Sequence, residues 1–470
     1  MIIPIQNPLS CKANQQQMPP PPSGGPSPPP PPPPYISPQS TNHYVVPATF
    51  LVPPESGGKR FIKAFAVAVL IWLLTGAFVS SCLDLFGVIR LNVMKGDIGI
   101  PEVEDGDIDN CPSWTTVSDR AHPWLPSRPF GSWSRASFSL PVDSDALYLV
   151  AHGALASGDL YVSESPEVKD VSVNVFVHHR GSIALSRATV CQLSREDGQV
   201  GVGIFTPRRW YIPSRDTLHF VVEVKLPVSR GAIRYVPSFQ VDLPMFALDM
   251  GDISAFRFGD VSLRSTNSHI KVRGAIASTF NVHSTNGGVS GAFNISNSLT
   301  IVTTNSPVSV KIGALNGEPE KPTEVFIQTT NGRVNAGISL MSNSSSGTGG
   351  AFGVSTHTTN SPIEVIYDDS PVDSVLKFDA ASTNSRVHTA LHRAYEGTFV
   401  LATTNGGVVL DRLGDNEDPS GQGRKRSLTK RYVGRNRVFG KVEWVPPSSD
   451  RDQSGSVNVA TTNDVITLTI

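Results

Sequence analysis

Residues 299–312 read Leu-Thr-Ile-Val-Thr-Thr-Asn-Ser-Pro-Val-Ser-Val-Lys-Ile, with Asn305 near the centre. Leu299 and Ile301 stand six and four residues before that Asn, and Val308, Val310 and Ile312 stand three, five and seven after it. Alternation with a period of two describes a strand with one buried face on each side. Because the parity changes across the Asn, one extra residue must sit there, in a corner. The pattern Ser or Thr, then Thr, then Asn, then Gly, Ser or Asp recurs eight times, with its Asn at 267, 286, 305, 331, 360, 384, 405 and 463. Successive spacings are 19, 19, 26, 29, 24, 21 and 58 residues. Six residues before each Asn the chain is always apolar (Val261, Phe280, Leu299, Val325, Val354, Phe378, Phe399, Val457), and three after it is always Val or Ile.

Each unit therefore reads as strand, corner, strand and a second, looser turn, which is one coil of a β-solenoid. Asn and Gly tolerate the left-handed backbone that such corners use. The parity places Asn267, Asn286, Asn305, Asn331, Asn360, Asn384, Asn405 and Asn463 facing inward. Their stacked amides would hydrogen-bond from coil to coil, with Ser or Thr two residues earlier lining the same row. This is a structural ladder and not a binding site. Upstream, Asp197-Gly198 repeats the offsets through Cys191, Leu193, Val200 and Val202, which suggests divergent coils before the first Asn.

Outward from the repeats, composition divides the rest of the 470 residues. Eighteen of the 38 Pro fall in residues 1–58, so residues 1–60 read as a disordered Pro-rich tail. Residues 64–83 carry no charge and match the roughly 30 Å hydrocarbon core at 1.5 Å per residue, so residues 61–85 read as a transmembrane signal anchor. Lys59, Arg60 and Lys63 precede the run, which favours a cytosolic N-terminus and an extracellular or lumenal C-terminal domain. Residues 86–115 form an acidic stalk, 116–252 an N-terminal β region serving as cap or divergent coils, and 253–470 the repeats, with a basic insertion at 411–455. The predicted fold class is all-β: a parallel β-solenoid with Asn corners, preceded by one transmembrane helix and the tail. The 39 basic and 40 acidic residues balance to a net charge of −1, which argues against nucleic acid as a partner. Four Cys exclude a disulfide-dense scaffold.

The Thr-Thr-Asn corners and the Val-x-Val alternation that follows resemble adhesin-like β-solenoid domains of unknown function, found in bacteria and, membrane-anchored behind a Pro-rich tail, in fungi. The resemblance covers roughly residues 130–470. It implies a non-catalytic domain for adhesion, cell-wall contact or scaffolding, with glycans or a wall polymer as partners and no cofactor.

Individual sites follow from the same reading. Asn294-Ile-Ser and Asn343-Ser-Ser are glycosylation sequons beyond the span. Cys111 and Cys191 either form a disulfide or leave Cys191 as a buried thiol. Pro32, Pro33 and Tyr35 belong to a Pro-Pro-x-Tyr ligand for a WW domain, and the Pro runs also suit an SH3 domain, which would make the chain a trafficking adaptor. Eight basic residues between 424 and 441 read as a solvated loop, as a dock for an anionic polymer or headgroup, or as a dibasic processing site at Lys430-Arg431. A carbohydrate-active β-helix enzyme is the catalytic alternative. Its only candidates are Glu364 and His388 on neighbouring coils, without the second carboxylate that such chemistry needs. Neutral Asn at the corners excludes repeat-wise calcium binding.

Overall fold

The computed structural model describes residues 98–117, 131–195, 198–208, 217–228, 233–318, 320–412, 417–446 and 454–470. The N-terminal part holds β1 (Asp107–Asn110), β2 (Thr115–Val117), β3 (Ser132–Leu140), β4 (Ala146–His152), β5 (Gly158–Ser165), β6 (Val171–His179), β7 (Thr189–Arg195), β8 (Gln199–Phe205), β9 (Leu218–Pro227), β10 (Arg234–Asp242) and β11 (Phe246–Asp252). The central repeats hold β12 (Phe256–Ser265), β13 (Ile270–Ser284), β14 (Val289–Val302), β15 (Val308–Asn316), β16 (Thr323–Gln328), β17 (Val334–Ser342), β18 (Ala351–Thr358) and β19 (Ile363–Asp369). The C-terminal part holds β20 (Val375–Ser382), β21 (Val387–Ala390), β22 (Gly397–Thr403), β23 (Val408–Asp411), β24 (Lys425–Val433), β25 (Arg437–Val445), β26 (Gly455–Thr461) and β27 (Ile466–Thr469).

Each repeat forms one rung, with a leading strand before its Asn and a trailing strand after it. Successive rungs pair in parallel with the register that the motif fixes. Val261 meets Phe280, Phe280 meets Leu299 and Leu299 meets Val325 on the leading side; Ile270 meets Val289 and Val289 meets Val308 on the trailing side. Inward Val, Ile, Leu and Phe of all rungs merge into one apolar core that runs from Ala136 to Ile470. β-Branched residues suit this role because their stiff side chains pack well on a pleated, half-buried surface.

Upstream, the solenoid continues, but not in chain order. β4 lies between β8 and β10, and β5 between β9 and β11, all in parallel. The outermost rung at this end is therefore β8–β9, followed inward by β4–β5 and then β10–β11. Antiparallel strands cover the outermost rung: β7 and then β1 on β8, and β6, β3 and then β2 on β9. β7 and β8 are thus an antiparallel pair, with Arg195 opposite Gln199, and not the two strands of a coil as their offsets suggest; Asp197 lies outside the described residues.

At the C-terminal end the same disorder of sequence recurs. β26–β27, last in the chain, sits between β20–β21 and β22–β23. β25 covers the outer edge of β22 antiparallel, and β24 covers β25.

The predicted fold class needs one correction. Its all-β, repeat-like part stands as a solenoid-type strand topology, but its transmembrane helix does not. Among the described residues no helix is long and apolar enough to cross a membrane. The helices there are a 3₁₀ turn at Val103–Asp105 and α1 (Ser182–Ser186) of five residues, against about twenty for a span. The run at 61–85 and the tail with Pro32, Pro33 and Tyr35 lie outside the described residues. Single-pass function, the membrane as an integral partner and the localisation with a cytosolic N-terminus all rested on that helix and are withdrawn with it.

Candidate functional site

The eight corner Asn residues form a continuous ladder, but on the outside. All eight are exposed. Each amide donates Nδ2–H to the Oδ1 of its neighbour: Asn286 to Asn267, Asn305 to Asn286, Asn331 to Asn305, Asn360 to Asn331 and Asn384 to Asn360, at 2.6–2.8 Å. The last steps follow space rather than sequence, from Asn463 to Asn384 at 2.7 Å and from Asn405 to Asn463 at 2.8 Å. Parity breaks one residue earlier than the sequence suggests, so the last inward position is the Ser or Thr two before the Asn.

Those Ser and Thr residues are all buried, and their chemistry explains why no other type appears there. A short hydroxyl accepts the backbone N–H just beyond its own Asn, as Thr329 does from Gly332 at 3.0 Å and Thr403 from Gly406 at 3.1 Å. It also donates to the equivalent carbonyl of the next rung, as Thr461 does to Ser385 at 2.9 Å and Thr403 to Asp464 at 3.1 Å. At Gly332 a Cβ would fall 1.8 Å from the Ser306 carbonyl, which fixes Gly at that corner.

The Thr immediately before each Asn turns outward. Its carbonyl is used, since Thr266, Thr285, Thr304 and Thr330 accept the Asn N–H of the following rung at 2.7–2.9 Å. Its hydroxyl makes no bond within the described residues. Eight uncommitted hydroxyls thus run beside eight amides that are bonded to one another along the ladder.

At the N-terminal end this row opens into a groove. Thr266, Thr285 and Thr304 line a cleft with Asp242, Arg264 and His283. Asp242 and Arg264 also line the next cleft, of about 320 Å³, which continues over Tyr148, His152 and Arg195. A strap of residues 98–110 crosses the leading strands here. It makes β4, whose residues read Ala-Leu-Tyr-Leu-Val-Ala-His, buried on both faces. Asp105 locks the strap: Oδ1 meets His152 Nε2 at 2.9 Å, Oδ2 accepts the Glu102 N–H at 2.7 Å, and its carbonyl accepts Tyr148 Oη–H at 3.0 Å. Arg195 stacks its guanidinium 4.0 Å from the Tyr148 ring centre and reaches Gln240 Oε1 at 3.5 Å. Burial pushes the Tyr148 hydroxyl up to about 12, with Asp109 and Asp105 adding to the effect and Arg195 opposing it. Burial also lowers the His283 imidazole, as does Arg264 beside it, so His283 is neutral at physiological pH. The groove therefore offers fixed charges of both signs and neutral hydroxyls. The His152–Asp105 pair holds the strap, and both carboxylate oxygens are already committed to that.

Cys111 and Cys191 are joined in a disulfide that ties β1 to the buried side of β7. Sequence offered that bond and a free buried Cys191 equally. Asn294 is exposed within β14, its side chain lying over Gly313 of the next rung, and Asn343 is exposed in the loop after β17. Glu364 and His388 do face each other on neighbouring rungs, with Nδ1 and Oε1 3.8 Å apart and both half-exposed. Lys430 and Arg431 lie within β24, paired to Gly440 and Phe439, rather than in a loop. Sequence reasoning missed a second charged cluster, under the β24–β25 hairpin. There Arg424 Nη2 meets Asp418 Oδ1 at 3.0 Å, and Arg424 Nη1 lies 3.5 Å from Glu396 Oε1, all three side chains buried. Asp418 and Arg424 stand six residues apart in one segment, and Glu396 joins them from the turn before β22, a meeting that no local pattern reveals. Among the described residues no group of three or more His, Cys, Asp or Glu could hold a metal ion.

Residues 278–416 match the profile of a domain of unknown function, DUF7330. No curated protein matches the chain. Among solved structures, a "putative cell adhesion protein" from Clostridium sporogenes is 8% identical, with 72% of this chain and 99% of that one covered and a TM-score of 0.17. A "putative adhesin" from Bacteroides fragilis is 8% identical over 72% of this chain and 96% of that one, at a TM-score of 0.29. A "putative adhesin" from Parabacteroides distasonis is 11% identical over 55% and 90%, at 0.31. All three are bacterial proteins, matched at low identity and over part of this chain.

Proposed function

We propose that this chain is a non-catalytic recognition scaffold whose groove holds an extended, hydroxyl-rich polymer, a glycan of a cell wall or surface. The observation that carries this reading is the row of uncommitted Thr hydroxyls running into the groove at Thr266, Thr285 and Thr304. Thr stands at that outward position in all eight repeats, although its hydroxyl makes no bond within the described residues. The outward row four residues after each Asn, by contrast, drifts through Lys271, Ser290, Ser309, Asn335, Glu364, His388, Val409 and Thr467. A polymer with repeating hydroxyls can exchange bonds with such a row rung by rung, at the roughly 4.8 Å spacing of stacked strands. Arg264, Asp242 and Arg195 would then fix its end and direction.

The test is sedimentation of the full chain with insoluble wall polysaccharides, compared with a triple variant Thr266→Val, Thr285→Val and Thr304→Val. Val keeps the β-branched shape and removes only the hydroxyl. Native chain should pellet with at least one glycan, and the variant should bind at least tenfold more weakly, which is about 1.4 kcal/mol. Equal retention of both would overturn the site, and no retention of the native chain on any wall fraction would overturn the function.

A further inference from the structure

The rung made by β26 and β27 follows β22–β23 in sequence, yet lies between it and β20–β21 in space. Its two neighbours match each other as well as they match what lies between them. Phe378, Val457 and Phe399 share one inward row, Ala380, Val459 and Leu401 the next, and Ser382, Thr461 and Thr403 the buried hydroxyl row. On the trailing side Val387, Ile466 and Val408 align, followed by Thr389, Leu468 and Leu410. Asn384, Asn463 and Asn405 continue the amide ladder without a break. If the middle rung withdraws, β20 and β22 can therefore pair directly, parallel and in register, with every row preserved. The covering hairpin does not oppose this, because β25 pairs with the opposite edge of β22.

A withdrawn segment cannot stay in water. Val457, Val459, Ile466, Leu468 and Ile470 are each at most 3% exposed in place, and they need an equivalent interior. Only a rung-shaped gap between matching rungs supplies it. We propose that the gap between β20–β21 and β22–β23 is an exchangeable strand slot, whose occupant in trans is residues 454–470 of a second copy of this chain. Exchange costs little at equilibrium because the same pairs and the same burial reform between copies. Parallel pairing at both edges of the slot sets the specificity. An entering strand must carry the Thr-Thr-Asn corner at the right offset, or its apolar set turns to the wrong face.

Asp379 and Asn458 are partners across β20 and β26, and both are exposed on the outer face. Full-length Asp379→Cys and Asn458→Cys chains are mixed, incubated at a temperature just below melting, cooled and oxidised. The link is then mapped by peptide mass. Asn281→Cys, on the same outer row of a distant rung, replaces Asn458→Cys to measure collisional background. A doubly substituted Asp379→Cys/Asn458→Cys chain shows that the bond closes within one molecule, and unchanged melting of the single variants shows that they fold. A 379–458 heterodimer at least tenfold above the Asn281→Cys background is the expected result. A yield equal to background, with the double variant closed within its own chain, would overturn the slot.

Discussion

The two ends of the solenoid share a plan and differ in chemistry. Counted outward from the middle, each end builds its third rung, then its outermost rung, then the antiparallel cover, and then the second rung slipped in between. The N-terminal cover shields both sides of the outermost rung and is sealed by apolar packing: Tyr148, Val150, Cys191, Leu193 and Phe205 form one cluster, and Trp133, Phe176 and Val221 another. The C-terminal cover shields only the leading side, and beside its own buried Val438, Val442 and Trp444 it sets Arg424 between two buried carboxylates. Parallel strands expose unpaired N–H and C=O groups at each end, so both ends must be closed against further pairing. Apolar closure can be built from any sequence with spare bulk. Ionic closure needs every partner present, because an unpaired buried charge costs more than the pair returns. Lys425, Lys430 and Arg431 along β24 then serve the outer edge of the cover, where positive charges discourage another strand from adding.

Breaking one link in each closure sharpens that contrast. Arg424→Met leaves Asp418 buried without its cation and removes one of the two arginines that face Glu396, the other being Arg426, and a loss of about 3–5 kcal/mol in urea denaturation is expected at neutral pH. The deficit should depend on pH in a definite direction. Burial alone would raise the Asp418 carboxyl, but hydrogen bonds from Arg424 and Ser420 overrule it and hold it well below the usual carboxylate range. A depressed carboxylate contributes stability above its unfolded value of about 3.9 and loses it as pH falls through the folded one. The difference between the two proteins should therefore be flat above about pH 5 and shrink in acid. A deficit that grows in acid would contradict the ionic account of this end. At the other end, replacing both Cys111 and Cys191 by Ser opens a closure 80 residues apart in sequence and should cost about 2–4 kcal/mol. Hydrogen exchange should localise that loss to β1 and β7, with β20–β27 unchanged. Exchange that quickens equally at both ends would mean that the closures are not independent.

The middle of the solenoid needs no closure, and the buried hydroxyls left unpartnered near it, those of Thr356, Tyr367 and Thr389, give the smallest effect. Thr356 and Thr389 occupy inward rows where other rungs carry mostly Val, Ile or Leu, and their buried hydroxyls find no partner. Thr356→Val keeps the shape and removes the unsatisfied oxygen, so a gain of about 1–2 kcal/mol in thermal unfolding is expected. No gain, or a loss, would show that the hydroxyl is bonded after all.

Much of this was legible before any coordinates. The rows at six and four before each Asn and at three and five after it are local properties of a pleated strand, and they read directly from alternation. The corner itself was half legible. Its Asn ladder followed from eight identical residues at equal offsets, yet its direction did not, because one residue of parity decides between inside and outside. Asn286 and its fellows face solvent, and the smaller Ser284 and its equivalents take the buried place, where a hydroxyl can both accept and donate. The transmembrane reading rested on hydropathy along residues 61–85, which lie outside the described residues, and no helix among the described residues is long and apolar enough to cross a membrane.

By itself, then, the sequence determined the unit: its strands, its Thr-Thr-Asn corner, its register and the all-β class. Only tertiary structure decided the order in which units stack, which places β26–β27 inside β22–β23 and β4–β5 inside β8–β9. It decided between the two states open to Cys111 and Cys191, and it alone brought Asp105 to His152 and Glu396 to Arg424. The physical reason is that repeats built to pair with one another carry nearly the same edges. Near-identical edges leave local pattern with no preference among neighbours, and the choice passes to what closes the ends.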